Sequence, residues 1–195
     1  MTGTFFAQLA IGVLGVLLIS GEYSTGMIRS SLTVVPRRLP MLWGKLAVFA
    51  GVVFLTMLIA SVTTFFVGQA LLSGPGLAAS LSDPGALRSV VGAALYVTVA
   101  GMTALALGAL LRNTAAAITT FVAVFFVIPP LTLLLPASLT DHFVQYLPSS
   151  IGGVLIGGAS AGTQSLAPWT GFGVLCGYAA ILIGFSAWRL RRADA

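Results

Sequence analysis

Few residues of this chain are of a type that could carry out acid–base, nucleophilic or metal chemistry. His142 is the only histidine and directly follows Asp141, while the only cysteine, Cys176, lies in an apolar run. Zinc sites and histidine-activated nucleophiles both need several such groups together. The chain also lacks the phosphate-binding pattern GxxxxGK[ST], so it has no usual means of hydrolysing ATP itself. We therefore expect no enzymatic centre, no bound metal and no cofactor in this chain.

The most polar part of the chain, residues 21–44, holds the candidate functional residues instead. Glu22 stands where a long apolar stretch ends, and because water is near, its charge fits either an ordinary helix end or a functional role. Apolar residues at helical spacing, with Pro36 after them, predict a short surface helix within residues 24–35. Such a helix could dock on a cytosolic protein or be held by lipid headgroups. The residues that define it are Ile28, Arg29, Leu32 and Val35.

The composition indicates what kind of protein must position this segment. Hydrophobic residues make up 58% of the chain and charged residues 7%, whereas a soluble domain has about 25% charged residues. The chain is therefore expected to lie in a lipid bilayer. Its formal net charge of +5 is divided among short clusters. Nucleic acid is not an expected partner, because binding it requires a continuous basic face.

Uncharged stretches long enough to cross a bilayer define the predicted helices. A hydrocarbon core of about 30 Å requires roughly 20 apolar helical residues. Five stretches come close to or exceed this length, which predicts an all-α, polytopic membrane helix bundle that forms one transmembrane domain over residues 1–195. The predicted spans are residues 4–20, 46–72, 89–111, 115–135 and 169–188.

Basic residues predict the orientation of this bundle, because Lys and Arg are retained on the cytoplasmic side of a membrane. Eight of the nine fall on one side of the predicted spans, and only Arg88 falls on the other. We therefore expect a multi-pass protein with loop 21–44 and the C-terminus in the cytoplasm. An external, uncharged N-terminus is unusual, and we expect a further span before Met1. The eight residues are Arg29, Arg37, Arg38, Lys45, Arg112, Arg189, Arg191 and Arg192.

The outer region of residues 136–168 is too long for a simple turn. Its apolar, Gly-rich part from Ile151 to Ile156 predicts short helices that dip back into the outer leaflet. Irregular backbone at that depth must be buried in protein or face a water-filled cavity, because lipid cannot satisfy its amides. Pro129 and Pro130 would bend the fourth span toward this re-entrant region.

The interiors of the spans contain no Asp, Glu, Lys, Arg or His, so a proton relay of the usual kind is not expected. A polar stripe in the second span leaves two interpretations open, sodium coupling or interhelical hydrogen bonding. Small residues four apart in the third and fifth spans predict close helix packing. The stripe comprises Thr56, Ser61, Thr63, Thr64 and Gln69, and the small residues are Ala100, Ala104, Gly108, Gly173 and Gly177.

Between the first two predicted spans the sequence resembles the ABC-2 type permeases of bacterial ATP-binding-cassette exporters. The shared pattern is an acid followed by an aromatic residue, a Gly-containing turn, an Ile-Arg pair and a Pro followed by a basic residue. The order of apolar stretches after it also agrees with the family over essentially the whole chain. The residues that carry the resemblance are Gly21 to Arg29, Leu32 and Pro36 to Arg38.

This resemblance implies a permease subunit in the inner membrane of a bacterial cell, which exports a substrate that we expect to be hydrophobic or amphipathic. It implies pairing with a second permease copy, identical or different, and with cytosolic ATPase subunits that bind ATP and magnesium. The cytoplasmic loop would serve as the coupling helix. Family members usually have six spans, so the first would be missing here. The coupling residues implied are Glu22, Tyr23, Thr25, Gly26, Ile28, Arg29, Leu32 and Arg37.

Two other kinds of function remain open. An ATP-independent secondary transporter would continue to transport when ATP is depleted and would need no stable cytosolic partner. Another polytopic membrane protein, such as an embedded enzyme or assembly factor, would need paired acids, a nucleophile with its base or a metal set at membrane depth. The predicted spans contain none of these groups.

Overall fold

A computed structural model of the chain describes residues 2–24, 38–71, 85–134, 143–157 and 166–192. Within these ranges the chain is helical apart from short connections, and it contains no strand. The all-α prediction is therefore confirmed for the described part of the chain. The helices are α1 (Thr2–Ser24), α2 (Arg38–Leu71), α3 (Ala86–Leu111), α4 (Thr114–Val122), α5 (Ile128–Leu131), α6 (Pro148–Leu155) and α7 (Pro168–Arg192), with a π-helical turn at Ala123–Val127 and 3-10 turns at Thr132–Leu134 and Val144–Tyr146.

Five helical stretches of the described residues are long and apolar enough to cross a membrane. This number agrees with the prediction, and the chain is therefore described as a multi-pass membrane protein. α4, the π-helical turn and α5 together form the fourth span. The five stretches are Gly3–Gly21, Pro40–Leu71, Ala86–Leu111, Thr114–Thr132 and Pro168–Arg191.

The two helices that flank the candidate loop are longer than the sequence predicted. α1 continues to Ser24 and α2 begins at Arg38, so residues 21–24 and 38–44 of the predicted loop are helical. Pro40 is compatible with this start, because the first turn of a helix does not need its backbone N–H. The surface helix predicted within residues 24–35 lies outside the described residues, except for Ser24, which belongs to α1.

α3 is the central helix of the bundle. Within its spanning stretch, 83% of the most apolar window is buried, against 17% for α2. α1, α2 and α7 all pack against α3, whereas α2 keeps most of its surface on the outside. The buried residues of α3 therefore connect helices that have few contacts with one another.

Small residues allow α1 to lie close to α3. A Cβ atom added to Gly15 would lie only 2.7 Å from the Gly101 carbonyl oxygen, and one added to Gly108 would lie 3.0 Å from the Val16 carbonyl oxygen. Both distances are shorter than ordinary van der Waals contact, so a larger residue at either position would push the neighbouring backbone away. The close packing predicted around Gly108 is therefore confirmed, and it involves backbone of α1.

Within the described part of the chain, Gly173 and Gly177 of the last span do not make the close packing that was predicted. A Cβ atom added at either position would have no neighbour within 4 Å among the described residues. Gly171 makes the contact instead, since a Cβ there would lie 3.2 Å from the Ile151 side chain of α6. The two predicted glycines lie on a different face of α7, because residues two and six positions further along are rotated away from that contact.

The fourth span is interrupted before the Pro129–Pro130 pair. The Ile128 N–H bonds to the Ala123 carbonyl oxygen, five residues back, and a π-helical turn results. Prolines remove backbone donors and clash with the preceding helical turn, so irregular backbone just before them has a clear cause. The turn also contacts α6.

Candidate functional site

The predicted coupling residues lie in the last turn of α1 and in the segment that follows it. Glu22 and Tyr23 belong to the last turn of α1. The other six, Thr25, Gly26, Ile28, Arg29, Leu32 and Arg37, lie outside the described residues. The geometry of the site is therefore the geometry of the two helix ends that hold the segment of residues 25–37.

A basic side chain joins these two helix ends. Lys45 Nζ of α2 donates a 3.2 Å hydrogen bond to the Leu18 carbonyl oxygen of α1. Next to this bond, Leu42 and Leu46 of α2 are buried in a cluster with Ile19 of α1. A shared apolar cluster and a charge-assisted hydrogen bond therefore link α1 to α2 about two helical turns from the segment.

Hydroxyl groups tie the same end of α1 to α4. Thr114 Oγ1 donates to Ser20 Oγ at 2.9 Å, and Ser20 Oγ donates to the Val16 carbonyl oxygen at 2.9 Å. Asn113 caps α4, because its side-chain oxygen accepts from the Ala116 N–H at 3.0 Å. Since Ser20 is only 1% exposed, this chain of hydroxyls is shielded from its surroundings.

α7 is attached to α3 at this end in the same manner. The single hydroxyl proton of Ser186 is shared between the carbonyl oxygens of Ala106 of α3, at 2.9 Å, and Leu182 of α7, at 2.8 Å. Arg189 donates to the Leu110 carbonyl oxygen, which lies in the last turn of α3 and has no helical donor of its own. α1, α2, α3, α4 and α7 are therefore linked at one end of the bundle, which we call the basic end.

Charge is distributed unequally between the two ends of the described bundle. Lys45, Arg112, Arg189 and Arg191 lie at the basic end, whereas Arg88 is the one basic residue at the opposite end of the described part. The basic residues thus lie at the two ends of the bundle as the sequence predicted, with all but Arg88 of these five at one end. Which membrane side the basic end faces stays a prediction.

Comparison with protein-family models, with curated proteins and with solved structures finds no match to this chain.

A second feature of the described bundle is a cavity of about 510 Å³ between α3, the π-helical turn, α7 and residues 143–148. Phe125 of the turn and Leu175 of α7 form its buried back wall, with 3% and 1% exposure. We call it the aromatic cavity, because four rings contribute to its lining. The rings belong to Phe125, Phe143, Tyr146 and Tyr178.

Contacts along α3 and α7 show how far residues 143–157 reach into the bundle. Tyr178 lies ten residues from the start of α7, about 15 Å along its axis, and its hydroxyl donates to the Tyr146 carbonyl oxygen at 3.3 Å. Tyr96 lies ten residues from the start of α3 and packs on Gly152, while Ser89 lies beside Gly157 near the start of α3. This stretch therefore runs from the middle of two spanning helices outward to the end opposite the basic end.

The polar stripe of α2 uses its hydroxyls locally. Thr63 and Thr64 donate to the carbonyl oxygens of Ile59 and Ala60, at 2.8 Å and 2.7 Å. These two hydroxyls therefore donate within α2 and not to another helix, since each has a single proton. Ser61 and Thr64 also line a smaller cleft of about 340 Å³ between α1, α2 and α3.

Sequence reasoning missed a buried amide inside the bundle. Gln8 of α1 is only 5% exposed, and its amide faces the Tyr96 hydroxyl of α3. Nε2 of Gln8 has no hydrogen-bond partner within the described part of the chain. The sequence signal was the lone amide within the apolar run of the first span. A polar side chain at that depth is costly, so it indicates a specific contact or role.

Proposed function

We propose that this chain is the membrane-spanning permease subunit of an ATP-binding-cassette exporter of the ABC-2 type. Residues 25–37 act as its coupling helix and dock on a separate cytosolic ATPase. The substrate is hydrophobic or amphipathic, and the ATPase supplies the ATP and magnesium sites. The inner membrane of a bacterial cell is the proposed location.

The observation that carries this proposal is the bond between Lys45 and the Leu18 carbonyl oxygen, which joins α1 to α2 about two helical turns from the coupling segment. A force applied to residues 25–37 would reach α1 and α2 together. Both helices pack on α3, and α3 packs on α7, so a displacement of the segment would be passed to the centre of the bundle. A coupling helix requires a connection of this kind to the spanning helices.

The absence of charge at mid-depth supports an external source of energy. The central parts of the five described spans hold no Asp, Glu, Lys, Arg or His. Membrane pumps that use a proton gradient need such groups for their relays. A permease without them would draw its driving force from a protein outside the bilayer.

The distribution of basic residues supports a cytoplasmic basic end, with the C-terminus on that side. The positive-inside rule assigns clusters of Lys and Arg to the cytoplasm. With that orientation, residues 143–157 form an outer re-entrant region. The contacts of Tyr146 with Tyr178, and of Gly152 with Tyr96, support this assignment, because both tyrosines lie well inside their spans.

A second permease copy would complete the exporter. α2 exposes large apolar side chains along much of its length, including Val48 at 67% and Ile59 at 67%. Lipid can cover such a face, and so can the corresponding face of a second copy. The family likeness favours the second copy beside at least part of this surface.

ATP turnover of the purified complex tests the coupling role. The full chain would be isolated with its associated ATPase in nanodiscs, and vanadate-sensitive ATP hydrolysis would be compared with that of a variant carrying Ile28→Asp and Arg29→Glu. We expect the variant to lose most of this activity, because Ile28→Asp removes an apolar contact with the ATPase and Arg29→Glu reverses a charge at the same surface. Arg191→Glu, also at the basic end but outside the segment, is the matched control and should retain it.

Equal ATP turnover in the Ile28→Asp, Arg29→Glu variant and the control would show that residues 25–37 do not couple to an ATPase. Transport that persists in cells depleted of ATP would favour the alternative of a secondary transporter. The two measurements separate the coupling residues from the class of transporter.

A further inference from the structure

We propose that the aromatic cavity binds a neutral, compact aromatic molecule that carries one hydrogen-bond donor. The argument comes from the size of the cavity, its chemistry and the side from which it opens. It adds a site to the proposed permease, and only the identification of the ligand as exported cargo rests on the proposed function.

The size and lining of the cavity are those of a small-molecule site. Its volume of about 510 Å³ lies within the range of roughly 300–1,000 Å³ typical of ligand pockets, which are lined mainly by apolar and aromatic groups. Aromatic rings attract one another in offset or edge-to-face geometries, so four rings around one space favour an aromatic guest.

The lack of charged side chains in the described lining restricts the ligand to a neutral one. No charged side chain is among the lining residues in the described part of the chain. A charged ligand would lose its hydration here without gaining a counter-charge, at a large cost in free energy. The cavity therefore discriminates against ions of either sign.

Two hydroxyls decide which hydrogen bond the ligand can make. The Thr103 hydroxyl donates to the Val99 carbonyl oxygen at 2.8 Å, and the Tyr178 hydroxyl donates to the Tyr146 carbonyl oxygen at 3.3 Å. With its proton in use, the Tyr178 oxygen can still accept a hydrogen bond. A ligand N–H or O–H is the group that this oxygen would recognise.

The cavity opens sideways, toward the apolar outer surface of the bundle. Phe143 and Ile181 on its rim are 69% and 58% exposed, whereas Phe125 and Leu175 at the back are buried. Because Tyr178 lies about 15 Å along a spanning helix, a phospholipid could insert only the end of an acyl chain while its headgroup stayed at the interface. A compact molecule dissolved in the bilayer can enter whole and reach the Tyr178 oxygen.

A pair of fluorescent probes tests the proposal directly. N-phenyl-1-naphthylamine is neutral, aromatic and carries one N–H, and 1-anilinonaphthalene-8-sulfonate is the same molecule with a sulfonate. Each would be titrated into nanodiscs containing the full chain, with empty nanodiscs subtracted and no ATP present. We expect saturable fluorescence with the neutral probe and binding at least about tenfold weaker with the sulfonate.

Three variants locate the binding. Val124→Trp fills the cavity and should weaken binding of the neutral probe at least about tenfold, while Val127→Trp, three residues on and 46% exposed outside the lining, should leave it within about twofold. Tyr178→Phe removes the acceptor and should weaken binding about two- to tenfold, as expected for one neutral hydrogen bond. This third variant serves even if Val124→Trp fails to fold.

Several results would overturn the proposal. A signal that does not saturate, or that equals that of empty nanodiscs, means that the cavity holds bilayer lipid only. Equal affinity for the sulfonate removes the requirement for a neutral ligand. Unchanged binding in Tyr178→Phe, or equal binding in the two tryptophan variants, places the probe elsewhere. None of these measurements involves an ATPase, so a failure here leaves the coupling proposal standing, and the reverse also holds.

Discussion

The Thr114 hydroxyl donates a 2.9 Å hydrogen bond to Ser20 Oγ, and this contact fastens α4 to the same end of α1 that Lys45 fastens to α2. The last turn of α1 leads directly into the proposed coupling segment. Helices attached in this way would move as one unit, so the stability of these bonds is a measurable property of the proposed coupling mechanism.

Thr114→Val should lower the stability of the bundle, because it removes the donor to a buried hydroxyl without changing the shape of the side chain. Hydrogen bonds between membrane helices contribute about 0.6 kcal/mol on average and up to about 1.7 kcal/mol. The readout is the Tm of the purified chain in detergent. Thr119→Val is the control, since Thr119 is exposed on the same helix. Identical Tm values for the two variants would contradict the assigned role.

Substitution of glycine by alanine should change the stability of the bundle in opposite directions at two positions. Gly15→Ala places a Cβ atom 2.7 Å from the Gly101 carbonyl oxygen, and the resulting overpacking should cost about 1–3 kcal/mol. Gly177→Ala meets no neighbour within 4 Å and should stabilise α7 by up to about 1 kcal/mol through helix propensity. Thermal unfolding in the same detergent measures both. A Gly15→Ala variant as stable as Gly177→Ala would mean that α1 and α3 lie further apart.

Replacing Gln8 by Leu and Tyr96 by Phe together should raise the stability of the bundle. Nε2 of Gln8 is buried without a partner in the described chain, and an unsatisfied polar group costs about 1–3 kcal/mol. The Tm of the Gln8→Leu, Tyr96→Phe variant is therefore expected above that of the native chain and above that of Gln8→Leu alone, which leaves the facing hydroxyl against an apolar side chain. A clear loss of stability in the double variant would show that the amide has a partner in the membrane.

The orientation of the bundle can be measured with one introduced thiol. In a Cys176→Ala background, Ser30→Cys should be protected from a membrane-impermeant maleimide in intact cells and should react after the cells are opened. A cysteine at Ser80, in the segment that joins α2 to α3 at the opposite end, serves as the control and should react in intact cells. Labelling of Ser30→Cys in intact cells would place the coupling segment outside and remove the basis of the proposed function.

The number and order of the spans followed directly from the sequence, because long apolar stretches leave few alternatives in a bilayer. Helix ends were less certain, since polar residues such as Glu22 and Arg38 can extend a helix beyond the hydrocarbon core. Pattern analysis ended the first span at residue 20, whereas backbone hydrogen bonding continues to Ser24.

Packing partners were harder to predict than spans. Residues Gly108 and Gly173 belong to the same type of small-residue pattern, yet only Gly108 meets a neighbouring helix. The sequence identifies which positions permit close approach, but the rotation of each helix decides which of them are used. Gln8 and Tyr96 illustrate the same limit, because their proximity depends on how α1 and α3 are aligned.

The aromatic cavity lay beyond the reach of sequence patterns for a related reason. Its walls come from residues as far apart in sequence as Thr103 and Tyr178, and no local periodicity connects them. The prolines at residues 129 and 130 predicted a bend of the fourth span toward this region. The space itself arises only when three helices and the segment of residues 143–148 are assembled.

The π-helical turn at Ala123–Val127 has a consequence for the two halves of the fourth span. A π-helical turn accommodates one residue more than an α-helical turn, which corresponds to a rotation of about 100°. The stripe of residues that α4 directs toward α1 and α3 is therefore not continuous with the stripe that follows the turn. If this turn were regular α-helix, every later side chain of the span would point in a direction rotated by that angle.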